Sequence, residues 1–395
     1  MPGIYRLKGV VKHYDWGGQS FLPSLLQASN KENRAFAEYW LGTHHAGQAL
    51  VETGNAEWKK LEEFTGDLPY LFKVLDVKDM LSIQVHPSRK AAEEEFAREN
   101  AAGIPLDSPQ RNYKDANHKP ELMVALSDFW LLHGFKPPEE LSYTLLNVVE
   151  LRELLPVFNE SGYEGLYKMV MEMPQEEVNR ILKPLVDNIA SVYKNALPEK
   201  DDEDFWVARA VESFSWPERI DRGIFSIYFF NLVHLQKGEG IFQAAGVPHA
   251  YLEGQNVEIM ANSDNVLRGG LTTKHIAVSE LLKHTSCEPV VPIIIQPEEI
   301  GSGEKIYNTG AADPVDNGFR LTVLNLENQE PVSISTVSME ILLVTEGAVV
   351  ISAGETIVEL GPGSPSALVL PGYTIGVKAK SSATVFRASV PVNQR

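Results

Sequence analysis

The sequence has little of what cross-linked, membrane-spanning or nucleic-acid-binding proteins need. Cys287 is the only cysteine in 395 residues, which excludes an internal disulfide and a zinc site built from several thiolates. No apolar run approaches the roughly 20 residues of a membrane-spanning helix, and Met1–Val10 lacks the apolar core of a signal peptide. Lys and Arg total 35 against 53 Asp and Glu, a formal net charge of −18. We therefore expect a soluble cytoplasmic protein that binds neither nucleic acid nor membrane, because both partners need clustered cations.

The pattern of apolar and polar residues changes three times along the chain. Short apolar runs broken by turns fill residues 1–137 and return over 220–288, with one helix expected after Ser88, a plausible N-cap. Residues 138–219 carry Leu, Val and Ile at helical spacing among many Glu. Residues 289–395 read as short, evenly spaced strands of a jelly roll and contain no histidine. The sequence predicts a mainly β protein with a helical domain inserted in the first of two β-sandwich units, the second having no metal site.

The segment "LSIQVHP" has one wholly polar face. Because side chains alternate along a strand, Ser82, Gln84 and His86 share one face, whereas Ile83 and Val85 point to the other. A buried polar face is costly unless something satisfies it. On its own, however, such a pattern more often contains an ordinary hydrogen-bonded histidine than a metal ligand.

Two further segments carry metal-binding residue types. In "DANHKPEL", Lys119 and Glu121 are two apart and leave the same face of a strand, although a surface ion pair explains them equally well. In "GVPHAYLEG", His249 follows a turn, where a capping histidine is the simpler reading. His44 and His45 are a weaker candidate, because adjacent residues of a strand point to opposite faces.

The segment "NVEIMANSDNVLRGGLTTK" places acids and bases near a turn. Alternation puts Glu258 and Asp264 on one side, and Arg268 and Lys274 follow in a glycine-containing loop. These are the groups needed to transfer a proton and to hold an anion, although a solvated surface has the same composition.

Taken together and in this order, the segments resemble a known family. The stretches "LSIQVHP", "YKDANHKPEL", "GVPHAYL" and "EIMANSDNVLRGGLTTK" resemble signature segments of type I phosphomannose isomerases, and "AFAEYWLGTHHAG" is similar to another. The resemblance runs from Met1 to about Lys274 and fits the helical insertion and the β-rich tail. Gly269 and Thr273 depart from the usual Ala and Pro.

The resemblance implies a cupin-type catalytic sandwich that interconverts mannose 6-phosphate and fructose 6-phosphate through a cis-enediol. It implies one Zn²⁺ bound by two imidazoles, a carboxylate and an amide, namely His86, His249, Glu121 and Gln84. An imidazole and carboxylate set is normal for zinc, whereas a glutamine ligand is unusual.

The resemblance also suggests roles for the remaining polar residues. Phosphate binding is expected from Ser82, Lys119 and Lys274. Ring opening is expected from His118 and Lys119, although Lys119 does not comfortably fill both roles and phosphate binding is favoured for it. Arg268 is expected to stabilise charge on the enediol, while the base is left open between Glu258, Asp264 and a zinc-bound hydroxide.

Two other classes compete with this reading. A metal-dependent cupin dioxygenase or epimerase would share the fold, but Gln84 and the Lys and Arg set argue against an oxygenase site. A non-catalytic sugar-binding cupin predicts no metal. The favoured partner is a phosphorylated hexose, and a monomer is expected.

Overall fold

The computed structural model describes residues 2–54, 57–193, 198–216, 218–301, 303–310, 318–327 and 330–391. The strands in chain order are β1 (Ile4–Lys8), β2 (Val10–Lys12), β3 (Glu38–Leu41), β4 (Leu50–Glu52), β5 (Trp58–Lys60), β6 (Tyr70–Val77), β7 (Ile83–Val85), β8 (Glu121–Ala125), β9 (Phe129–Phe135), β10 (Phe230–Leu235), β11 (Gly240–Gln243), β12 (His249–Ala261), β13 (Leu267–Gly270), β14 (Glu298–Gly301), β15 (Glu304–Ile306), β16 (Arg320–Leu326), β17 (Val332–Ser335), β18 (Glu340–Glu346), β19 (Val349–Ala353), β20 (Thr356–Leu360), β21 (Ser366–Val369), β22 (Thr374–Ala379) and β23 (Ala383–Ser389). The helices are α1 (Phe21–Leu25), α2 (Glu62–Thr65), α3 (Arg89–Ala101), α4 (Pro138–Asn147), α5 (Leu155–Glu172), α6 (Gln175–Tyr193), α7 (Glu203–Phe214), α8 (Gly223–Phe229) and α9 (Val278–His284), with a 3₁₀ helix at Val149–Leu154. The predicted class, mainly β with a helical insertion, is confirmed; its cupin-type detail stays a prediction.

The long strand β12 pairs with four other strands of the first sandwich. Its first half pairs with β7 and β9, and its second half pairs with β6 and β8. The two halves meet at Gly254, where φ is +131° and an added Cβ would lie 2.6 Å from the carbonyl oxygen of Asp128. Only glycine suits this backbone conformation and this close approach. The bend lets a single strand contribute side chains to both sides of the sandwich.

The helical insertion α4–α7 leaves the sandwich after β9 and returns to it through α8 and β10. It packs against the apolar face of β7, because Ile83 and Val85 share a core with Tyr167 of α5 and Trp206 of α7. This assigns Ile83 and Val85 to the core, as alternation predicts. In the part of the chain that the structure describes, no helix combines the length and apolarity needed to cross a membrane.

The remaining strands form a second sandwich. A nine-stranded sheet runs β14-β15-β16-β23-β18-β21-β1-β4-β5, and a four-stranded sheet runs β17-β22-β19-β20. The first strand of the chain pairs with one of the last, with Ile4 opposite Val369. The predicted domain limits, 1–137 with 220–288, 138–219 and 289–395, stay a prediction, and their outermost residues, Met1 and Arg395, lie outside the described residues.

Candidate functional site

Four side chains form a row across four neighbouring strands of the first sandwich. Arg268 on β13 lies opposite Gln84 on β7, Gln84 lies opposite His249 on β12, and His249 lies opposite His133 on β9. Directly opposite residues on antiparallel strands present their side chains on the same face, about 4.5–5.5 Å apart at Cβ. The predicted ligands Gln84 and His249, which are 165 positions apart in sequence, are therefore neighbours.

The carboxylate of Glu121 lies between two imidazoles. Its Oε1 is 3.4 Å from His86 Nε2, and its Oε2 is 3.4 Å from His249 Nε2. His86 Nδ1 lies 2.9 Å from the carbonyl oxygen of Asn265, and His249 Nδ1 lies 3.0 Å from that of Val247. Because a carbonyl only accepts, each Nδ1 must donate, which leaves both Nε2 atoms of the neutral rings with a lone pair.

The arrangement of His86, Glu121 and His249 fits a bound cation. Both Nε2 atoms are buried and form no hydrogen bond with any described residue. Burial lowers the pKa of His86 to about 4, so the ring is neutral at pH 7. In the neutral form of both rings, lone pairs on two nitrogens face two carboxylate oxygens, an arrangement that a divalent metal satisfies. The three ligand atoms lie within 4.8 Å of one another, as a shared ion requires.

Lys119 lies beside this cluster, with its Nζ 3.0 Å from Glu121 Oε1. Burial disfavours the charged form of Glu121, but the adjacent Lys119 ammonium is the largest opposing effect, and the Glu121 pKa lies well below its usual value. The side chains of Lys119 and Glu121 therefore lie together as predicted, although the strand β8 begins only at Glu121. The structure brings Lys119 to the metal-ligand cluster, and not to the wall that carries Ser82 and Lys274.

His118 lies next to Arg89. Its Nε2 is 2.6 Å from Arg89 Nη2, and Arg89 Nη1 donates to Asn117 Oδ1 at 3.2 Å. A guanidinium only donates, so Nε2 accepts and Nδ1 carries the proton of the neutral ring. The ring-opening role of His118 stays a prediction.

A cavity of about 650 Å³ opens next to the ligand row. Its wall includes Ser82, Gln84, Arg268, Thr272 and Lys274. Neither Arg268 nor Lys274 forms a side-chain ion pair or hydrogen bond with another described residue, and burial lowers the pKa of both. The same cavity is also lined by Asp15, Glu38 and Asp79, so Arg268 and Lys274 are candidates for holding an anion only at their own part of the wall.

The two candidate bases occupy different environments. Glu258 is 2% exposed, and its carboxylate accepts from Lys73 Nζ at 2.5 Å and from the Tyr251 hydroxyl at 2.8 Å. Burial raises the pKa of Glu258 although Lys73 opposes the change. The Asp264 side chain is 37% exposed and lies 3.2 Å from His44 Nε2. Burial raises the Asp264 pKa, but the hydrogen bond and charge of His44 outweigh that effect and lower it overall.

His44 and His45 lie in a turn after β3, so the alternation argument against them was wrong. Their rings stack with centroids 4.5 Å apart, and His45 Nε2 is 3.6 Å from Asp264 Oδ2. His44 Nδ1 accepts from the backbone N–H of Ala46, so Nε2 of the neutral ring holds its proton and donates it to Asp264. Both histidine rings therefore contact the carboxylate of the candidate base Asp264.

Sequence reasoning missed three polar residues close to the ligands. Lys73 is the buried partner of Glu258. His133 ends the row described above, and its Nδ1 lies 2.8 Å from Oε1 of Gln243. Gln243 is the third of these residues, and it pairs in register with Glu121. The only available signal was a lone Lys and a lone His inside the apolar runs "YLFKVLDV" and "FWLLHGF". Such a signal does not distinguish a functional residue from a polar group satisfied in the core.

Comparison with known proteins finds relatives along most of the chain. Residues 4–138 match the family described as "Phosphomannose isomerase type I, catalytic domain". The mannose-6-phosphate isomerase of Salmonella typhimurium is 35% identical over 380 residues, covering 91% of this chain and 93% of that protein. The human enzyme of the same name is 33% identical over 73% of this chain and 74% of its own length. The crystal structure of the Salmonella typhimurium enzyme "bound to substrate (f6p) and metal atom (zn)" aligns over 99% of this chain and 100% of that chain, with a TM-score of 0.86 and 31% identity.

Proposed function

Because this chain belongs to the type I phosphomannose isomerase family, we propose that it interconverts mannose 6-phosphate and fructose 6-phosphate with one zinc ion. The observation that carries the proposal is the pair of buried imidazole lone pairs that face the two oxygens of Glu121. Relatives that are similar along most of this chain carry the name of that activity, and one solved structure holds both zinc and the ketose phosphate.

The metal ligands proposed are His86, Glu121, His249 and Gln84. A single carboxylate leaves this set with a net charge near +1 once zinc is bound, and Lys119 beside Glu121 makes the site more positive. Bound zinc supplies a Lewis acid for the charge that develops on the C1 and C2 oxygens of the sugar. Arg268, in register with Gln84, lies at the same site and adds a fixed positive charge for the enediol.

The phosphate end of the substrate is assigned to Ser82 and Lys274. Both lie on the wall of the 650 Å³ cavity, which is large enough for one hexose phosphate. Burial and the neighbouring Arg268 lower the Lys274 pKa, so an anion that neutralises these cations is favoured there. Lys119 was expected to help bind phosphate, but its contact with Glu121 supports a role at the reacting end of the sugar.

For proton transfer between C1 and C2 through a cis-enediol, we assign the base to Asp264. A general base needs an accessible lone pair within hydrogen-bond reach of the carbon that gives up the proton. The carboxylate of Asp264 is partly exposed and so meets the first part of this requirement, whereas the Glu258 carboxylate is buried together with both of its hydrogen-bonding partners. Tyr14, on the cavity wall, has a pKa raised first by burial and then by nearby acids that include Asp264, which supports placing that carboxylate near the cavity.

Glu258 then has a positioning role. Its ion pair with Lys73, both residues being almost fully buried, holds a cation close to the metal ligands. Glu258 raises the Lys73 pKa above its usual value despite burial, so Lys73 stays protonated. His118, with its Nδ1 proton, is proposed for opening the sugar ring.

The test combines metal analysis with a coupled assay in both directions. We expect one zinc per chain, interconversion of the two sugar phosphates, and loss of both properties in His86→Ala. The matched control is His234→Ala, which removes a histidine that stacks on Trp130 away from the ligand row. Stoichiometric zinc without interconversion would contradict the proposed function and leave the metal site standing.

A further inference from the structure

We propose that Asp221 is a positioning residue that holds the loop Leu271–Lys274 in the conformation that presents Lys274 to the phosphate of the substrate. Asp221 lies between the helical insertion and α8, outside the ligand set and outside every segment that the sequence singled out. The inference rests on the proposed function, because it assumes that the cavity with Arg268 and Lys274 binds a sugar phosphate.

The carboxylate of Asp221 is occupied by backbone N–H groups. Its Oδ1 accepts from Gly223 N at 2.7 Å and from Leu271 N at 2.8 Å, and its Oδ2 accepts from Thr272 N at 3.3 Å. The residue is 2% exposed, and its carboxylate forms no salt bridge with any residue that the structure describes. Burying a carboxylate is costly without compensation, and these donors compensate it only while the loop keeps its present conformation.

That conformation is one that a leucine rarely adopts. Leu271 has φ = +50°, in the left-handed region that residues other than Gly, Asn and Asp avoid. Strain of this kind persists only where surrounding contacts over-determine the backbone, and such positions cluster at ligand-binding sites. The hydrogen bonds from the Leu271 and Thr272 N–H groups to Asp221 are those contacts.

Two glycines bring the Asp221 turn and the loop together. A Cβ added at Gly223 would lie 2.5 Å from Leu271 N, and one added at Gly270 would lie 2.4 Å from the Gly223 Cα. Neither contact is tolerated by a real side chain, so the backbones approach this closely only because both residues are glycine. The approach allows a single carboxylate to reach three N–H groups.

The loop transmits this restraint to the cavity. Thr272 Oγ1 accepts from the backbone N–H of Lys274 at 3.1 Å, which ties the position of Lys274 to the restrained part of the loop. Thr272 and Lys274 line the cavity together with Arg268. Because Arg268 and Lys274 repel each other in the absence of an anion, the loop backbone must hold Lys274 in place.

Asp221 also connects the loop to the end of α7. Its own N–H donates to Ser215 Oγ at 3.1 Å, directly after α7, and the last residues of α7, Ser213 and Phe214, line the same cavity. Asp221 therefore connects the restrained loop to the end of α7, and residues of both segments line the cavity. This gives the helical insertion a function at the site beyond packing against β7.

The test uses Asp221→Asn and Asp221→Ala in the zinc-loaded full-length protein. Asn keeps the size of the side chain but replaces one acceptor oxygen with a donor, and Ala removes both acceptors. We expect the KM for mannose 6-phosphate and the Ki of inorganic phosphate to rise together, by about tenfold in Asp221→Asn and more in Asp221→Ala. Zinc content and kcat should stay within about threefold of wild type. If Asp221→Ala does not fold, Asp221→Asn alone decides.

A control variant separates positioning from general destabilisation. Glu340→Gln disturbs a carboxylate as buried as Asp221, held by Arg387 at 2.6 and 2.8 Å in the second sandwich. It should lower the Tm without changing KM or Ki. If Asp221→Asn behaves in the same way, lowering Tm only, the positioning role is refuted. Calorimetric binding of inorganic phosphate to wild type and Asp221→Asn tests the loop even if wild type does not isomerise the sugar, so failure of the function and failure of this inference are distinguishable.

Discussion

Replacing Asp264 with Asn should abolish turnover while leaving the protein folded and loaded with zinc. Loss of a general base costs about 10²–10⁴-fold in kcat. The effect on stability should be small, about 1 kcal/mol or less, because the Asp264 side chain is 37% exposed, although its closer partner His44 is buried. The amide oxygen of Asn still accepts from His44 Nε2, which preserves the local geometry.

The assay follows two events on mannose 6-phosphate. Isomerisation is measured by coupled turnover, and proton abstraction is measured as uptake of solvent deuterium at C2. Asp264→Asn should lose both, with wild-type zinc content as the control. A kcat within tenfold of wild type would refute the assignment of Asp264, and loss of deuterium uptake in Glu258→Gln alone would transfer the role to Glu258.

The pH profile supplies an independent check. In the folded protein the pKa of Asp264 lies below its ordinary value of 3.8, because His44 and Lys119 outweigh burial. The stabilising contribution of this carboxylate is therefore complete above pH 3.8 and is lost as the pH falls through the folded-state pKa. If Asp264 is the base, it stays ionised down to below pH 3.8. If Glu258 is the base, its raised pKa would make kcat fall with decreasing pH already above pH 4.5. With zinc held in excess, kcat should show no acid limb from this group above pH 4.5.

Four further predictions concern the buried ion pair, the phosphate end of the cavity and the metal site. Glu258→Gln removes the carboxylate that is hydrogen-bonded to the buried Lys73 ammonium and leaves Glu38 and Glu121 as its nearby acids, so urea denaturation of the zinc-loaded protein should show a loss of up to about 3–5 kcal/mol in the free energy of unfolding. An unchanged midpoint would contradict the buried ion pair. Lys274→Met should raise the KM for mannose 6-phosphate about tenfold or more with little change in kcat in the coupled assay, and an unaltered KM would remove Lys274 from the phosphate site. A chelator should abolish activity and added zinc should restore it. Because the pKa of His86 is lowered to about 4, the zinc content measured after equilibration at pH 5 should stay near the zinc content at pH 7. Loss of zinc at pH 5 would contradict the lowered pKa of His86.

Local periodicity was enough to predict several features of this chain. The alternation of side chains in "LSIQVHP" separates the cavity-lining Ser82 and Gln84 from the core residues Ile83 and Val85, and the structure has them so. The helix after Ser88 was also predicted, with Ser88 Oγ accepting from the N–H of Ala91 at its start. Such features depend on residues within one or two turns of each other, so the sequence alone contains them.

Other features depend on which distant segments meet. His44 and His45 were set aside on a strand rule, yet the chain turns there and both rings reach Asp264, about 220 positions away. No spacing along the sequence places Lys274 in the same cavity as Ser82, because this position follows from the packing of whole strands and loops.

The sequence by itself determined the class of the fold and, in "LSIQVHP", the faces of the strand on which the side chains lie. Tertiary structure alone decided the row from Arg268 to His133, the tautomers of His86 and His249, and the contact of Asp221 with a loop 50 residues away. The physical reason is that alternation and capping are local and repeat with a fixed period. Strand register, burial and hydrogen bonds between distant segments exist only once the chain is folded.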